Sequence, residues 1–310
     1  MEIFNKHKNI KERKYCGVGL GNFDGLHLGH MILIDVLINE CNMYGLSSLI
    51  YTFTKHPENI LRKKLLTQMI YTPAKKEEIL KKAGLDFLYY EEFDEEFSRM
   101  KPENFVKDIL VNRLNMKLAV AGQDYKFGYR GHGDVEYLKK LSKKYGFRVV
   151  VIPSIRLNDN IISSTNIRQC ISRGYMAKAF EFMGRHYSIS GVVSEGRKIG
   201  SKIGFPTANI IPEEYLVLPH RGVYITKTLI DNILYDSITN VGKNPTFEET
   251  ENTQVETHIL NYNKNTYNKK IEVFFLNKIR GERKFDSKED LIAQINKDIE
   301  ITRQNMLLME

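Results

Sequence analysis

The hydrophobic pattern of this chain changes period once, and that change limits the folds open to it. From Tyr15 to about Phe182, short apolar runs alternate with amphipathic stretches of helical period, the pattern of strand and helix units built on a parallel sheet. Strands are predicted at residues 15–20, 47–53, 86–90, 117–121 and 147–152, all rich in β-branched or aromatic side chains. Helices are predicted at 28–43, 73–83, 103–114 and 135–145, the last stopped by Gly146. Ser163, Ser164 and Thr165 offer hydroxyl caps to a further helix that Gly174 ends. From Tyr187 onward strands dominate, at 187–193, 222–230, 233–241, 254–260 and 270–279, joined by Gly, Asn and Pro turns. Such a run predicts a small antiparallel barrel or sandwich. A last helix, from Ser287 to about Leu308, should pack on it through Leu291, Ile292, Ile295 and Ile299. The boundary is placed near Met183 and Gly184, giving domains 1–183 and 184–310.

Composition agrees with two folded cores. The chain has 310 residues, 42% hydrophobic and 27% charged, too long for one ordinary domain and too apolar for wholesale disorder. Lys and Arg exceed Asp and Glu by 46 to 38, but the positive residues are scattered, unlike a track for a nucleic-acid backbone. Cys16, Cys41 and Cys170 are far apart and lack metal spacing, so neither disulfides nor a Cys-based metal site is expected. The N-terminus lacks the apolar core of a signal peptide, and no apolar run is long enough to span a membrane. The expectation is a cytoplasmic protein, a monomer or weak homo-oligomer, bound to neither nucleic acid nor membrane.

Gly19 to His30 directly follow the first predicted strand and open the first helix. Glycines there let backbone N–H groups approach a phosphate, and the helix N-terminus adds partial positive charge. His27 and His30, three residues apart, share one face, so both imidazoles can donate to one anion. Nucleotidyl transfer has this need, because charge builds on an oxygen of the α-phosphate as pyrophosphate leaves. A glycine-rich turn with two incidental histidines fits the residues equally well, although the place after the first strand favours a ligand site. Ser163 to Arg168 add hydroxyls, a helix N-terminus and a guanidinium where the outer phosphates could rest.

Together the His27-Leu28-Gly29-His30 and Ser163 to Arg168 segments resemble the HxGH nucleotidyltransferases, specifically the FMN adenylyltransferase module of bacterial bifunctional FAD synthetases. His56-Pro57 and Gly122 to Gly128 continue the likeness, the latter similar to the family's GxDFRFG segment on the adenine side. The resemblance implies catalytic roles for His27, His30 and Arg168, and nucleotide contacts from Gly21, Asn22, Phe23, Gly29, Asp124, Ser164 and Thr165.

A second constellation begins at Gly196 and runs to Asn209, where glycines and cations precede a polar pair. Main-chain donors and Lys or Arg can cover ATP phosphates, and the Thr207 hydroxyl can ligate Mg²⁺. By itself such a loop is better explained as a flexible surface hairpin. With Asn240 to Phe247 and Val255 to Leu260 it completes a pattern similar to riboflavin kinase. That likeness implies Thr207 and Asn209 at the metal and phosphate, Gly200, Lys202 and Gly204 at the nucleotide, and Glu256 as base for the attacking hydroxyl. Strand alternation alone leaves Glu256 equally open as a solvent-facing residue.

The resemblance therefore implies an α/β Rossmann-like nucleotidyltransferase domain followed by a β-barrel riboflavin-kinase domain with a C-terminal helix. It implies ATP and Mg²⁺ for both steps, with riboflavin, FMN and FAD as substrates or products. The main alternative is an adenylyltransferase for another phosphorylated substrate, whose C-terminal domain binds flavin without catalysis. A binding regulator that has lost catalysis is the rival from another class.

Overall fold

The computed structural model describes residues 1–5, 15–62, 65–195, 200, 203–243 and 253–307. Two compact units divide the chain, Met1–Asn166 and Ile167–Glu310, the division falling inside the helix Ser164–Arg173.

The first unit is built on a six-stranded sheet of β1 (Glu2–Asn5), β2 (Cys16–Leu20), β3 (Ser47–Phe53), β4 (Phe87–Glu91), β5 (Met116–Gly122) and β6 (Arg148–Ile152). Their order is β1-β4-β3-β2-β5-β6, and every pair is parallel. All five residues of β2 are buried, as a central strand covered on both faces requires. The five predicted strands are all present; β1 adds an edge that four residues were too few to announce. The helix Leu28–Tyr44 ends at Gly45 and Val135–Tyr145 at Gly146, both left-handed, where a side chain would be disfavoured. The predicted helix at 103–114 is a short α-turn, Pro102–Asn104, continuing as a π-helix, Phe105–Arg113. Periodicity cannot register that widening, because the buried face (Phe105, Val106, Ile109, Leu110) keeps nearly the α spacing.

The second unit carries a six-stranded antiparallel sheet of β9 (Tyr187–Val192), β10 (Ala208–Ile210), β11 (Gly222–Ile230), β12 (Ile233–Lys243), β13 (Thr253–Ile259) and β14 (Lys270–Arg280). Between the units' sheets in sequence lies a two-residue hairpin, β7 (Arg156–Leu157) with β8 (Asn160–Ile161). The order β10-β13-β12-β11-β14-β9 curls the sheet so that its two edge strands approach. Ser194 bridges Asn209, its N–H donating to the Asn209 carbonyl at 3.0 Å. Glycine at 191 permits this closure, since a Cβ there would overlap the Ile210 side chain. One face of the sheet buries five hydroxyls, Thr226, Thr228, Ser237, Thr239 and Thr257, which satisfy one another at 2.8–3.3 Å. The helix Lys288–Leu307 packs on this unit through Ile295, Ile299 and Met306. Its tie to β14 is ionic: Arg280 Nη2 lies 2.8 Å from Asp298 Oδ2, in a pair whose carboxylate is almost fully buried.

Candidate active sites

In the first unit the chain runs outward from β2 through β3 to β4, then returns to place β5 on the other side of β2. The carboxyl end of β2 is therefore a switch point, where adjacent connections diverge and leave a crevice. Gly21 and Asn22 occupy it. His27 caps the helix Leu28–Tyr44, its Nδ1 accepting from the His30 backbone N–H at 3.3 Å. That acceptor role places the ring proton of neutral His27 on Nε2. The two imidazoles stack with centroids 3.7 Å apart and planes at 16°, and Phe23 packs on His30 at 5.1 Å. His27 is 7% exposed and His30 half-buried. A Cβ at Gly29 would stand 3.3 Å from the His27 ring, so this position keeps the ring its room.

The loop between is held from below. Asp24 is buried and accepts from Ile70 N–H at 3.0 Å, while its carbonyl accepts from Ser164 Oγ at 2.8 Å. Ser164 is thus a loop fastener, and the hydroxyl that caps its helix is Ser163, bound by Asn166 N–H at 3.3 Å. Thr52 Oγ1 donates to the Asn22 carbonyl at 2.8 Å. Lys76 is 1% exposed and points its Nζ at the same carbonyl, 3.2 Å away. Burial lowers its pKa from 10.5 to about 8, against the opposing pull of Asp24 and Glu77.

Beside Gly21 and Asn22 opens a cavity of about 300 Å³. Its walls are aromatic, including Tyr51, Phe53, Phe97, Phe105, Tyr125 and Phe127, with Lys126 and Arg130 at one side. Neither imidazole lines it, and Asp124 stands outside it, against Gly122 at the end of β5. Tyr125 to Gly128 of the same segment do line it. The sequence reading missed this aromatic box, since its members come from strands and loops far apart in the chain. Thr165 and Arg168 lie on the helix Ser164–Arg173.

The second site is assembled by strand register. Asn209 pairs with Glu256, Glu256 with Asn240, Asn240 with Val223, and Val223 with Arg280. Paired residues of antiparallel strands point to one face, so this row sets the two amides and the carboxylate next to one another, with Val223 between Asn240 and Arg280. Val255 and Thr257 are buried on the opposite face, as alternation requires, and Glu256 is half-buried rather than solvent-facing. Glu256, Asn240, Arg280 and Thr207 open on a cavity of about 350 Å³, whose apolar wall includes Phe205, Val223, Ile238, Leu291 and Ile295. Gly200 lines it; Gly204, at φ 93°, does not. Thr207 also lines a second cavity of about 320 Å³ with Tyr262, Lys264 and Tyr267. His258, two residues beyond Glu256, donates through Nδ1 to the Pro206 carbonyl at 2.8 Å, fixing β13 to the Thr207 segment. Lys202 and the segment from Asn244 to Phe247 lie outside the described residues. The pairing of Arg280 with Asp298 belongs to the fold.

The family model for FAD synthetase matches residues 9–166, and that for riboflavin kinase matches 183–306. A relative from Buchnera aphidicola, "Bifunctional riboflavin kinase/FMN adenylyltransferase", is 36% identical over 308 residues, covering 98% of each chain. The chain belongs to the bifunctional riboflavin kinase/FMN adenylyltransferase family. A member of the same name from Listeria monocytogenes is 34% identical and covers 92% of this chain and 91% of its own. A crystal structure described as "Macrolide-efflux Protein from Streptococcus pneumoniae" superposes with a TM-score of 0.89 at 32% identity, covering 97% of this chain and 98% of that one. The family's two halves, a nucleotidyltransferase-like parallel sheet and an antiparallel kinase barrel, are those described above. Among the described residues no helix is long and apolar enough to cross a membrane.

Proposed function

We propose that this chain makes FAD in two steps: riboflavin and ATP give FMN and ADP, then FMN and a second ATP give FAD and pyrophosphate. Membership of the family supports both steps, and the row Asn209–Glu256–Asn240 carries the assignment of residues.

In the kinase half, the apolar cavity takes the flavin, with its ribityl hydroxyl beside Glu256. The carboxylate accepts the hydroxyl proton as the oxygen attacks the γ-phosphorus. Thr207 lines both cavities, so a nucleotide held on the Tyr262 and Tyr267 side would bring its terminal phosphate toward Thr207. The Thr207 hydroxyl and the Asn209 amide oxygen are hard donors that would hold Mg²⁺, which would supply neutralisation of the phosphate charge. Gly200, Lys202 and Gly204 belong to the phosphate loop of this reading. In the adenylyl-transfer half, the aromatic box beside Gly21 and Asn22 matches the flat isoalloxazine, and Lys126 and Arg130 suit the phosphate of FMN. His27 and His30 donate to the α-phosphate at the helix N-terminus, while Gly29, Phe23, Ser164, Thr165, Asp124 and Arg168 complete the nucleotide contacts. We read the two functional domains as 1–183 and 184–310, with residues 167–183 grouped by packing into the second compact unit. A cytoplasmic enzyme, monomeric or weakly associating, fits reactions that draw on the cellular ATP pool.

Chromatography of flavins formed from riboflavin, ATP and Mg²⁺ tests the reading, with FMN appearing before FAD. His30→Ala should stop FAD formation and spare FMN formation, and Glu256→Gln should do the reverse when FMN is supplied. Loss of both activities in either folded variant refutes separate sites.

A further inference from the structure

The loop from Gly21 to His27 holds an expensive backbone. Phe23 and Leu26 have φ of 47° and 43°, a left-handed region that bulky side chains rarely adopt. Such conformations persist only where surrounding contacts over-determine them. For Phe23 those contacts converge on one peptide unit, whose oxygen is the Asn22 carbonyl. It accepts from Thr52 Oγ1 at 2.8 Å and from Lys76 Nζ at 3.2 Å. The same ammonium reaches Thr52 Oγ1 and the Phe53 carbonyl, both at 3.4 Å, and so joins the ends of β2 and β3. Lys76 arrives from the helix Pro73–Lys82, whose first turn is capped by Thr72 Oγ1.

Two consequences follow from elementary chemistry. The peptide is planar and trans, so the Phe23 N–H points away from the ammonium that holds the Asn22 oxygen. A buried lysine is also costly to keep charged, which a merely space-filling position does not require. We propose that Lys76 is a positioning residue for adenylyl transfer, clamping the Asn22–Phe23 peptide so that the Phe23 N–H faces a phosphate oxygen of ATP. This rests on the adenylyl-transfer reading of the first site, and it gives the site a determinant that no substrate touches. Asp24, from the loop itself, and Glu77, from the lysine's own helix, are the charges that act on Lys76.

The test uses the full chain, with riboflavin phosphorylation as internal control. Wild type, Lys76→Met and Lys76→Arg are assayed for FAD formation from FMN and ATP. Loss of one preorganised donor predicts a fall in kcat of about 10- to 100-fold for Lys76→Met, with KM for FMN within about twofold and phosphorylation unchanged. Lys76→Arg, which keeps a fixed charge, should recover part of that kcat. In wild type, kcat for FAD formation should decline through pH 8 to 9.5 while phosphorylation in the same buffers does not, and Lys76→Arg should lack that decline. A Lys76→Met chain with wild-type kcat overturns the proposal. So does a wild-type profile flat over that range, a measurement that stands even if a variant fails to fold. Wild type that makes no FAD at all refutes the adenylyl-transfer reading instead.

Discussion

Removal of Asp298 should destabilise the kinase half, and the cost follows from its surroundings. Its carboxylate receives Arg280 Nε at 3.2 Å on Oδ1 and 3.0 Å on Oδ2, Arg280 Nη2 at 2.8 Å, and Gln294 Nε2 at 2.6 Å. The Asp298 side chain is 2% exposed and that of Arg280 20%. Asp298→Ala leaves the guanidinium in a site built for its counter-ion, a change that costs ~3–5 kcal/mol when both partners are buried. One-fifth exposure of Arg280 lets water reach it, so the lower end, about 3 kcal/mol, is expected here. For a unit of this size that corresponds to a drop of roughly 6–15 °C in the melting of the kinase half. Calorimetry of the full chain, with loss of riboflavin phosphorylation followed against temperature, reads the effect. Restoring the balance by removing the second charge as well, in Arg280→Met with Asp298→Leu, should regain more than half of the loss. A single Asp298→Ala chain that melts within about 1 kcal/mol of wild type would mean that the pair does not tie the last helix to β14.

Thr207→Val removes a hydroxyl at constant shape and should lower kcat for FMN formation by about 10- to 100-fold, without change in FAD formation from supplied FMN. Gly191→Val should destabilise the barrel by about 1–3 kcal/mol through overlap with Ile210, and Ile210→Ala in the same chain should relieve part of it, as chemical denaturation would record. Lys76 gives stability a pH dependence of known sign. Below pH 8 both folded and unfolded chains hold its proton, so the penalty for the buried charge is constant; from pH 8 to 10.5 only the unfolded chain does. The contribution therefore rises by ~1.4 kcal/mol per pH unit there, about 3 kcal/mol in all, and denaturation of Lys76→Met should lack that increment.

Local order was largely legible because it depends on neighbours in sequence. Alternation and helical spacing located the strands Ser47–Phe53 and Gly222–Ile230 and the helix Val135–Tyr145 to the residue, and Gly146 ended its helix as expected. Strands of three or four residues, β1 and β10, escaped because so short a segment carries no period, although β10 contains Asn209. The shift to π hydrogen bonding after Asn104 escaped because it changes the backbone pairing more than the pattern of buried residues.

The sequence by itself determined where the longer strands and helices form, that two kinds of sheet follow one another, and which motifs hold histidines, a threonine, asparagines and a glutamate able to work on phosphates. Tertiary structure decided what meets what. Strand order opened the crevice at β2, and antiparallel register turned Glu256 from a residue with two equally open readings into the centre of a row between Asn209 and Asn240. Packing put the Lys76 ammonium inside the first unit, against the Asn22 carbonyl. These outcomes depend on pairing and packing between residues distant in the chain, and a one-dimensional pattern carries no term for that distance.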